Sequence, residues 1–500
     1  MPQENDLLAQ RRANMEALAR LGIDLYPHEF NRTDAIAQLV NAHGSKSKDE
    51  LDAARIDTKT SGRILAIRSF GKANFLVLSD GRARIQVYVR QDSMPERDFQ
   101  VYTLLDLGDF VGVTGHLFRT KTNELTIWAS GVTFLAKCLT PLPEKWHGLQ
   151  DVEIRYRQRY LDLIVRPETG RVFEARGRTL AAIREFLDAR GYLEVETPMM
   201  QPIAGGALAR PFVTHHNALD MRLYLRIAPE LYLKRLLVGG MERVYEINRN
   251  FRNEGISTQH NPEFTMLEFY QAYSNYLDLM TMTEEMLSEV ARKVTGSEQV
   301  KFGETTISFT APFRRLPMRG AVCEDASRRL GREVTEVELR RLESARTLAR
   351  QLGVDLEPGM GPGKITAALF ESLWEESLVQ PTFVYDFPTE VSPLSKQKPD
   401  DPDTVERFEL YAGGFELANA FSELNDPAEQ RRRFDQQLAE RQRGDPEAHE
   451  MDEDYVRALE YGMPPAAGEG VGIDRFVMLL TDSHSIRDVI LFPLMRARRE

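Results

Sequence analysis

Five segments that alternate between apolar and polar residues follow one another closely in the N-terminal part of the chain. They are Arg63–Ser69, Asn74–Ser79, Arg84–Arg90, Asp109–Phe118 and Glu124–Ala129. A period of two indicates half-buried β-strands, and turn residues such as Asp80-Gly81 and Thr122-Asn123 separate them. Five short strands within about 70 residues suit a small closed barrel.

The predicted barrel allows two interpretations of its function. A five-stranded barrel of this size is typical of the OB-fold, which binds single-stranded nucleic acid, but a barrel without a ligand fits the pattern equally well. The net charge of −12 argues against a protein that coats nucleic acid indiscriminately. It leaves room for a selective RNA partner, because a local groove can be basic on an acidic body.

A chain of 500 residues is too long for a single hydrophobic core, so we expect two or three domains. Leucines at helical spacing precede the barrel, and Thr140-Pro141-Leu142-Pro143 marks a linker after it. We therefore predict a helical extension over residues 1–60, the barrel over 61–140, a linker over 141–165 and a larger domain over 166–500. Within the larger domain, residues 323–380 are expected to form a mainly helical insertion.

Composition excludes several classes of protein. With 42% hydrophobic and 28% charged residues the chain resembles soluble globular proteins, and no apolar run approaches the ~18 residues of a membrane span. The polar, acidic N-terminus does not fit a secretory signal. Cys138 and Cys323 lie far apart, which argues against a disulfide framework and a cysteine-based zinc site. We expect a cytoplasmic protein without a membrane segment.

The densest group of polar side chains lies on a predicted hairpin. Its strands run from Arg243 to Phe251 and from Glu263 to Tyr273, and a polar loop from Arg252 to Pro262 joins them. Alternation places four side chains on one face of the second strand: Phe264, Met266, Glu268 and Tyr270. A carboxylate and a phenol beside two large apolar groups suit a pocket wall for a cation. Arg252 and His260 flank the loop, where a guanidinium can bind a carboxylate or phosphate. The alternative is an ordinary hairpin with a solvated loop.

Two glutamates form a second candidate site. Glu409 and Glu416 fall on predicted strands joined by a Gly413-Gly414 turn, so they could face each other across the ladder. Opposed carboxylates repel unless a positive charge lies between them, and Mg²⁺ carrying ATP phosphates would supply it. The alternative is two surface acids far apart. Glu423 lies seven residues further along the chain and could add a further acid to a cation pocket.

Glycine-rich segments give one candidate and two false matches. The segment from Gly468 to Gly472 leads into a helix with Arg475 at the turn, which allows close backbone approach and a phosphate-binding charge. Its glycines lack the spacing of a dinucleotide fingerprint. Gly361-Pro362-Gly363-Lys364 fails as a P-loop, because Pro358 replaces the first glycine and Ile365 replaces the Ser or Thr after the lysine.

These segments resemble the three motifs of class II aminoacyl-tRNA synthetases. The hairpin with Phe251-Arg252-Asn253-Glu254 resembles motif 2, and Gly470-Val471-Gly472-Ile473-Asp474-Arg475 resembles motif 3. The helix that ends at Gly191, followed by Glu194-Val195-Glu196-Thr197-Pro198, resembles motif 1, which forms dimer contacts in that class. Four longer segments narrow the resemblance to the bacterial lysyl-tRNA synthetase family: 156–163, 226–231, 260–268 and 421–426.

This resemblance implies an α+β fold, with an N-terminal OB-fold anticodon-binding domain and a class II catalytic domain on an antiparallel β-sheet flanked by helices. It implies an enzyme that uses ATP to activate L-lysine as lysyl-adenylate and transfers it to the 3′-end of tRNA(Lys) in protein biosynthesis. The implied cofactor is Mg²⁺ and the implied assembly is a homodimer. No covalent nucleophile is needed, because the lysine carboxylate attacks the α-phosphorus and alignment and charge neutralisation lower the barrier.

The resemblance also assigns residues by position. Arg252 and Arg475 would be catalytic. The lysine site would contain Gly206, Glu230, Arg252, Glu268, Tyr270, Asn419 and Glu423, with Glu230 and Glu268 on the α-ammonium and Tyr270 and Glu423 on the ε-ammonium. The ATP site would contain Arg252, Glu254, His260, Phe264 and Arg475, with Phe264 stacked on adenine. Glu409 and Glu416 would hold Mg²⁺. Anticodon bases would be read by Arg68, Phe75, Gln86 and Glu124, with Phe75 exposed to solvent.

Two positions depart from the family pattern, and three other interpretations exist. Leu208 stands where a smaller residue is common, and Gln259 stands where arginine usually precedes His260. An aspartyl- or asparaginyl-tRNA synthetase would need a basic side-chain pocket, whereas Tyr270 and Glu423 indicate a cation. A protein-lysylating paralogue would lack the barrel. A nucleic-acid-binding module with an inactive synthetase domain would not retain the arginines and glutamates of the site.

Overall fold

The structure is a computed structural model that describes residues 2–70, 73–143, 151–207, 209–442 and 451–497. The chain divides into two compact units, residues 1–171 and 172–500. Part of the predicted linker, residues 144–150, lies outside the described residues, and so does Leu208.

The first unit contains the predicted barrel. Its strands are β1 (Asp57–Phe70), β2 (Ala73–Ser79), β3 (Arg84–Val89), β4 (Phe110–Arg119) and β5 (Leu125–Ala136). They close in the order β1-β2-β3-β5-β4, which confirms the predicted five-stranded barrel. The helices of this unit are α1 (Pro2–Arg20), α2 (Ile36–His43), α3 (Lys48–Ala54), α4 (Glu96–Thr103), α5 (Val152–Arg157) and α6 (Arg159–Val165).

Strand β1 begins at Asp57, before the residues whose alternation predicted it. Thr58 and Thr60 are buried although they are polar, because their hydroxyls donate to the carboxylate of Asp34 (2.9 Å) and to its backbone oxygen (2.8 Å). Hydrogen bonding therefore replaces apolar contact at the start of this strand, and an apolar–polar pattern cannot reveal it. The barrel consequently starts ahead of the predicted boundary at residue 61.

The second unit is built on a large sheet with two smaller ones. Its strands are β6 (Leu193–Glu194), β7 (Met200–Gln201), β8 (Phe212–His216), β9 (Met221–Leu225), β10 (Arg243–Phe251), β11 (Glu263–Ala272), β12 (Gln299–Phe302), β13 (Thr305–Ser308), β14 (Arg314–Pro317), β15 (Thr382–Pro388), β16 (Gln397–Lys398), β17 (Asp401–Ala412), β18 (Phe415–Ser422) and β19 (Ala466–Gly472). The large sheet has nine strands, in the order β14-β15-β17-β18-β19-β11-β10-β6 with β16 beside β17. It is antiparallel except at its two edges, where β14–β15 and β6–β10 are parallel.

Helices surround this sheet, so the predicted α+β class is confirmed. They are α7 (Pro167–Asp188, which begins just before the boundary between the units), α8 (Glu230–Val238), α9 (Tyr276–Thr295), α10 (Met318–Leu330), α11 (Glu336–Arg340), α12 (Leu342–Leu352), α13 (Pro362–Trp374), α14 (Pro427–Gln442), α15 (Glu453–Glu460), α16 (Ile473–Leu480) and α17 (Ile486–Val489). Helices α10 to α13 lie between the parallel strands β14 and β15, which need a crossover connection. Among the described residues, no helix is long and apolar enough to cross a membrane.

The order of the central strands brings the predicted polar segments together. Strands β10 and β11 form the predicted hairpin, β17 and β18 the glutamate hairpin, and β19 pairs with both β11 and β18. On β11 the side chains alternate, so Leu267 and Phe269 enter the main core with helix α9, while Glu268 and Tyr270 face the other way. One face of the sheet is thus apolar, and the other presents polar side chains that can bind a ligand.

The rejected P-loop match has a simple structural explanation. The carboxylate of Glu390 accepts hydrogen bonds from the backbone nitrogens of Gly361 (3.0 Å), Gly363 (2.8 Å) and Lys364 (3.3 Å) at the start of α13. A protein carboxylate therefore occupies the position at which a P-loop would hold phosphate.

Candidate active site

A cavity of about 370 Å³ opens on the polar face of the large sheet. It is lined by most of the residues that the sequence proposed for lysine, ATP and metal binding: Gly206, Glu230, Arg252, Glu254, His260, Phe264, Glu268, Tyr270, Glu409, Glu416, Asn419 and Arg475. Gln259, the residue that departs from the family pattern, also lines it. The exception is Glu423, which lies just behind the wall and is 1% exposed.

Three buried carboxylates gather at one end of the cavity, around a lysine of the protein itself. Lys234 is fully buried on α8, and its ammonium forms ion pairs with Glu230, one helical turn earlier, and with Glu423. Glu268 accepts a hydrogen bond from the hydroxyl of Tyr270 at 3.2 Å. The predicted acids are therefore together, but Glu230 and Glu423 already share an internal cation that the sequence analysis did not anticipate.

Burial sets the protonation of this end of the cavity. Removal from water raises the pKa of Glu268 to about 8 and, against the opposing effect of Lys234, raises the pKa of Glu423 to about 8. Burial and the nearby glutamates raise the pKa of Tyr270 well above its usual value, so its hydroxyl stays a donor. A site with excess buried acid gains from an added ammonium group.

Arg252 supplies positive charge at the middle of the cavity. Its Nε is buried without a hydrogen-bond partner among the described residues, and burial lowers its pKa. The guanidinium lies 5.0 Å from the ring centroid of Phe264, and the backbone nitrogen of Arg252 donates to Pro262 at 2.9 Å across the loop. A half-buried guanidinium with a free Nε is prepared to bind a carboxylate or a phosphate.

His260, Arg475 and Glu416 form a linked group at the other end. Arg475 donates to the backbone oxygen of Glu416 at 2.6 Å, and its Nη2 lies 3.3 Å from Nε2 of His260. Since arginine only donates, Nε2 of His260 accepts and Nδ1 carries the proton toward Ser257 at 2.9 Å. Burial and the neighbouring Arg475 lower the pKa of His260, which favours this neutral imidazole.

The two candidate metal ligands are not directly opposed, which corrects the prediction. A register shift between Leu410 and Tyr411 places Glu409 opposite Asn419, and Glu416 opposite Tyr411. Each of the two glutamates also has an arginine beside it. Arg407 donates to Glu409 at 2.5 Å, and Arg475 lies 3.6 Å from the carboxylate of Glu416. A bulge after a regular ladder leaves no trace in the sequence pattern.

Glu409 nevertheless keeps the character of a cation ligand. Burial, with Glu416 adding to it and Arg407 opposing it, raises the pKa of Glu409 to about 7. Arg407 and the hydroxyl of Tyr411 each contact one of its oxygens at 2.5 Å. No group of three or more His, Cys, Asp or Glu side chains that could hold a metal ion occurs in the part of the chain that the structure describes.

Two glycines leave space in or beside the cavity because they have no side chain. Gly206 has a φ of +88°, and a Cβ there would meet the Cβ of Glu230 at 3.0 Å. A Cβ on Gly468 would lie 2.2 Å from the ring of Tyr270 and 2.6 Å from Oε1 of Glu423. Both positions therefore require glycine, one for its backbone conformation and both for space beside the candidate lysine-binding acids.

Three of these contributors were missed by the sequence analysis: Lys234, Arg407 and Gly468. Arg407 links two candidate sites, because it also donates to Asn419 at 3.0 Å. Lys234 could have been suspected from its spacing of four residues after Glu230 on a helix. Gly468 was seen only as part of a phosphate-binding candidate, and its role depends on a strand pairing that the sequence does not reveal.

The candidate anticodon residues lie on the outside of the barrel. Arg68 pairs in register with Phe75, and Phe75 with Tyr88 on the next strand. Gln86 donates to Thr126 at 3.4 Å. Arg68 and Glu124 are exposed, the latter just ahead of β5.

Phe75 differs from its expected full exposure. It is half-buried, because its ring centroid lies 5.0 Å from that of Tyr88 and 6.4 Å from that of Phe70. It does not belong to the barrel interior, where Leu76 and Leu78 are fully buried. The aromatic side chain thus stands on the outer surface with ring neighbours on both sides.

Comparison with known proteins identifies both units. A family described as tRNA synthetases class II (D, K and N) matches residues 151–496, and an OB-fold nucleic acid binding domain matches residues 58–135. Relatives named lysine–tRNA ligase from Carboxydothermus hydrogenoformans and Moorella thermoacetica are each 54% identical over 497 residues, covering 99% of this chain and 99% of theirs. The relative of that name from Bacillus subtilis is 50% identical over 494 residues, 99% of this chain and 98% of its own.

Proposed function

The chain belongs to the lysine–tRNA ligases of the class II aminoacyl-tRNA synthetases, and from this premise we propose which part each residue takes in the reaction. It is a ligase that joins lysine to tRNA with ATP as the source of energy. The proposals below concern the residues that bind each partner, the metal ion, the assembly and the cellular compartment.

The carboxylates around Lys234 are the proposed lysine site. Glu230 and Glu268 bind the α-ammonium, while Glu423 and Tyr270 bind the ε-ammonium. Gly206 and Asn419 line the site. The single observation that carries this assignment is the excess of buried acid at one end of the cavity, which Arg252 also lines. Free lysine carries two ammonium groups and one carboxylate, which match this arrangement in sign and number.

ATP occupies the remainder of the cavity in this proposal. Phe264 stacks on adenine, Arg475 and His260 bind the triphosphate, and Glu254 lies at the rim. Arg252 holds the lysine carboxylate against the α-phosphate. The carboxylate oxygen attacks the α-phosphorus, pyrophosphate leaves, and the terminal ribose of tRNA then takes the lysyl group and releases AMP. Arg252 and Arg475 act by neutralising charge and fixing orientation, which is the main source of acceleration when no covalent nucleophile takes part.

Glu409 and Glu416 are the proposed holders of Mg²⁺. Each oxygen of Glu409 has one hydrogen bond and retains a second lone pair, and burial raises its pKa, so a bound cation would stabilise the ionised carboxylate. Mg²⁺ usually binds through one or two carboxylates together with substrate phosphates, so a pair of glutamates on the triphosphate side fits it. When bound, the ion would supply charge neutralisation for the triphosphate.

The barrel is proposed to read the anticodon of tRNA(Lys). Phe75 offers a ring face on the outer surface, and Arg68, Gln86 and Glu124 offer donors and acceptors around it. Stacking on an aromatic side chain accepts any base, whereas hydrogen bonds to base edges select among them. The combination therefore suits recognition of a short single-stranded segment.

A homodimer is proposed from exposed apolar residues on β6 and on the segment of the three-stranded sheet that follows it. They are concentrated between residues 193 and 221: Leu193, Met200, Val213, Leu219 and Met221. Exposed apolar groups that cluster in this way favour an interface. Analytical ultracentrifugation should give a dimer for the wild type and a monomer for Val213→Glu, and an unchanged monomer for both proteins would refute the proposal.

We also propose that the enzyme acts in the cytoplasm. Both cysteines, Cys138 and Cys323, are free thiols, as expected in a reducing compartment. Fractionation of cells should recover the protein with the cytosol, and recovery with membranes or the extracellular medium would contradict the proposal.

ATP–pyrophosphate exchange with each of the twenty amino acids tests the assignment of the cavity. Exchange should depend on lysine and should be weak with every other amino acid. Comparable exchange with aspartate or asparagine would refute the proposed acidic side-chain pocket.

A further inference from the structure

Lys234 is a buried cation at the acidic end of the cavity, next to the proposed lysine site. Its side chain is fully buried, it pairs with both Glu230 and Glu423, and its ammonium lies 5.0 Å from the ring centroid of Phe421. Burial alone would lower its pKa, but the two glutamates outweigh burial and raise the pKa above its usual value. It is therefore a permanent cation.

A count of charges shows what this cation does. Glu230, Glu268 and Glu423 would carry three negative charges, and Lys234 balances one of them. The two that remain equal the number of ammonium groups on a lysine substrate, while the carboxylate of lysine is balanced by Arg252. Without Lys234, one of the three acids would take up a proton even in the complex with substrate, and Glu423 would lose the partner that keeps it ionised and in place.

The groups that face Lys234 from the surrounding elements are few. Among the described residues they are Glu230 on α8, Glu423 after β18 and Tyr455 on α15. Glu268 and Tyr270 on β11 face Glu230 and Glu423, and Arg407 on β17 acts on Glu230. On the β10 side, Arg226 and Glu246 form their own ion pair at 2.7 Å. Lys234 is thus the cation closest to the carboxylate of Glu423.

We propose that Lys234 is a positioning residue that determines specificity for lysine, because it fixes Glu423 in place and keeps the number of free negative charges equal to the ammonium groups of the substrate. This proposal rests on the lysine site proposed above. Lys234 does not contact the reacting atoms. It acts through Glu423 and Glu230, and its effect should be limited to the binding of lysine.

The test compares Lys234→Met with the wild type in lysine-dependent ATP–pyrophosphate exchange on the full-length enzyme. Loss of the ammonium should raise the KM for lysine about 10-fold to 100-fold near neutral pH, since each unit of carboxyl pKa costs about tenfold. The KM for ATP should stay close to that of the wild type. The defect should shrink as the pH rises and the carboxyls ionise, and Lys234→Arg, which keeps the charge, should recover part of the affinity.

Lys137 provides a matched control in the barrel. It is also fully buried and pairs with two acids, Asp106 and Asp109, far along the chain from the lysine site. Lys137→Met should lower the melting temperature while leaving the KM for lysine and its pH profile unchanged. Equal behaviour of the two variants would show that loss of a buried lysine acts through stability alone and would overturn the proposal.

The outcomes separate this inference from the proposed function. A wild-type enzyme without lysine-dependent exchange would overturn the lysine site and this role with it. A folded Lys234→Met with the wild-type KM for lysine and the wild-type pH profile would overturn only the role of Lys234. A measurement that needs no variant to fold is the ¹⁵N spectrum of the lysine side chains: one protected ammonium should shift on addition of lysine and not of norleucine, and no such response would count against the proposal.

Discussion

Replacing Glu423 by glutamine removes one negative charge from the lysine pocket and keeps the shape of the side chain. Glu423 is 1% exposed, so the ε-ammonium that it meets is taken out of water. Lys234 retains Glu230 as a partner in the variant, so the fold should keep an internal ion pair. Breaking a buried pair by removing one member costs about 3–5 kcal/mol, which corresponds to a loss of roughly 10²-fold to several thousandfold in lysine activation.

The pKa of Glu423 makes this loss depend on pH. With a pKa of about 8, the group is protonated below that value and ionised above it, and only the ionised form attracts the ammonium. In the empty cavity about a tenth of the molecules carry the charge at pH 7 and about nine-tenths at pH 9. Wild-type affinity for lysine should therefore rise with pH, and the defect of Glu423→Gln should be about tenfold smaller at pH 7 than at pH 9.

The assay is pyrophosphate exchange with lysine and with norleucine, which lacks only the side-chain ammonium. Taking the ratio of the two removes the titration of the α-ammonium. Glu469→Gln is a matched control, because Glu469 is also 1% exposed with a pKa of about 8 and also lines the cavity, but its carboxylate accepts a hydrogen bond from Thr283 on α9. If Glu423→Gln melts like the wild type and still prefers lysine to norleucine equally at both pH values, selectivity resides elsewhere.

Three further changes test the other sites. Glu416→Gln should weaken activation most at low magnesium and leave the melting temperature unchanged, and an unaltered magnesium titration would refute the metal assignment. Phe75→Ala should impair tRNA charging by the equivalent of about 1–3 kcal/mol per stacked base while sparing adenylate formation, whereas equal loss of both steps would make Phe75 a structural residue. Gly468→Ala should raise the KM for lysine and not for ATP, since its Cβ would lie 2.2 Å from the ring of Tyr270; a normal KM for lysine would show that the strand shifts freely.

The sequence predicted those elements whose folding depends on apolar alternation and on turns. The hairpin of β10 and β11 ends within one residue of its predicted limits, and the face of Glu268 and Tyr270 is the cavity wall. The start of β1 could not be predicted in this way, because buried threonines bonded to Asp34 replace apolar residues there. The alternation of apolar and polar residues predicts a strand correctly where the burial of apolar side chains alone determines that strand.

The contacts between residues of the site were harder to predict from the sequence than the identity of those residues. The acids at the lysine end were recognised, but the pairing of Lys234 with Glu230 and Glu423 joins a helix to the end of a distant strand. The bulge beside Leu410 likewise decides which residue faces Glu409, and it depends on how two strands twist and pair. Contacts of this kind depend on tertiary packing. A sequence motif can therefore identify the residues of a site but not the residues with which they pair.

A crystal structure of the enzyme with lysine and a non-hydrolysable ATP analogue would test the central claim most directly. The ε-ammonium of lysine should lie within about 3.2 Å of both Glu423 and Tyr270, with Lys234 still paired to Glu423 behind it and the lysine carboxylate on Arg252. A lysine whose ε-ammonium points away from Glu423, or a Lys234 displaced from the pocket by the substrate, would contradict the account.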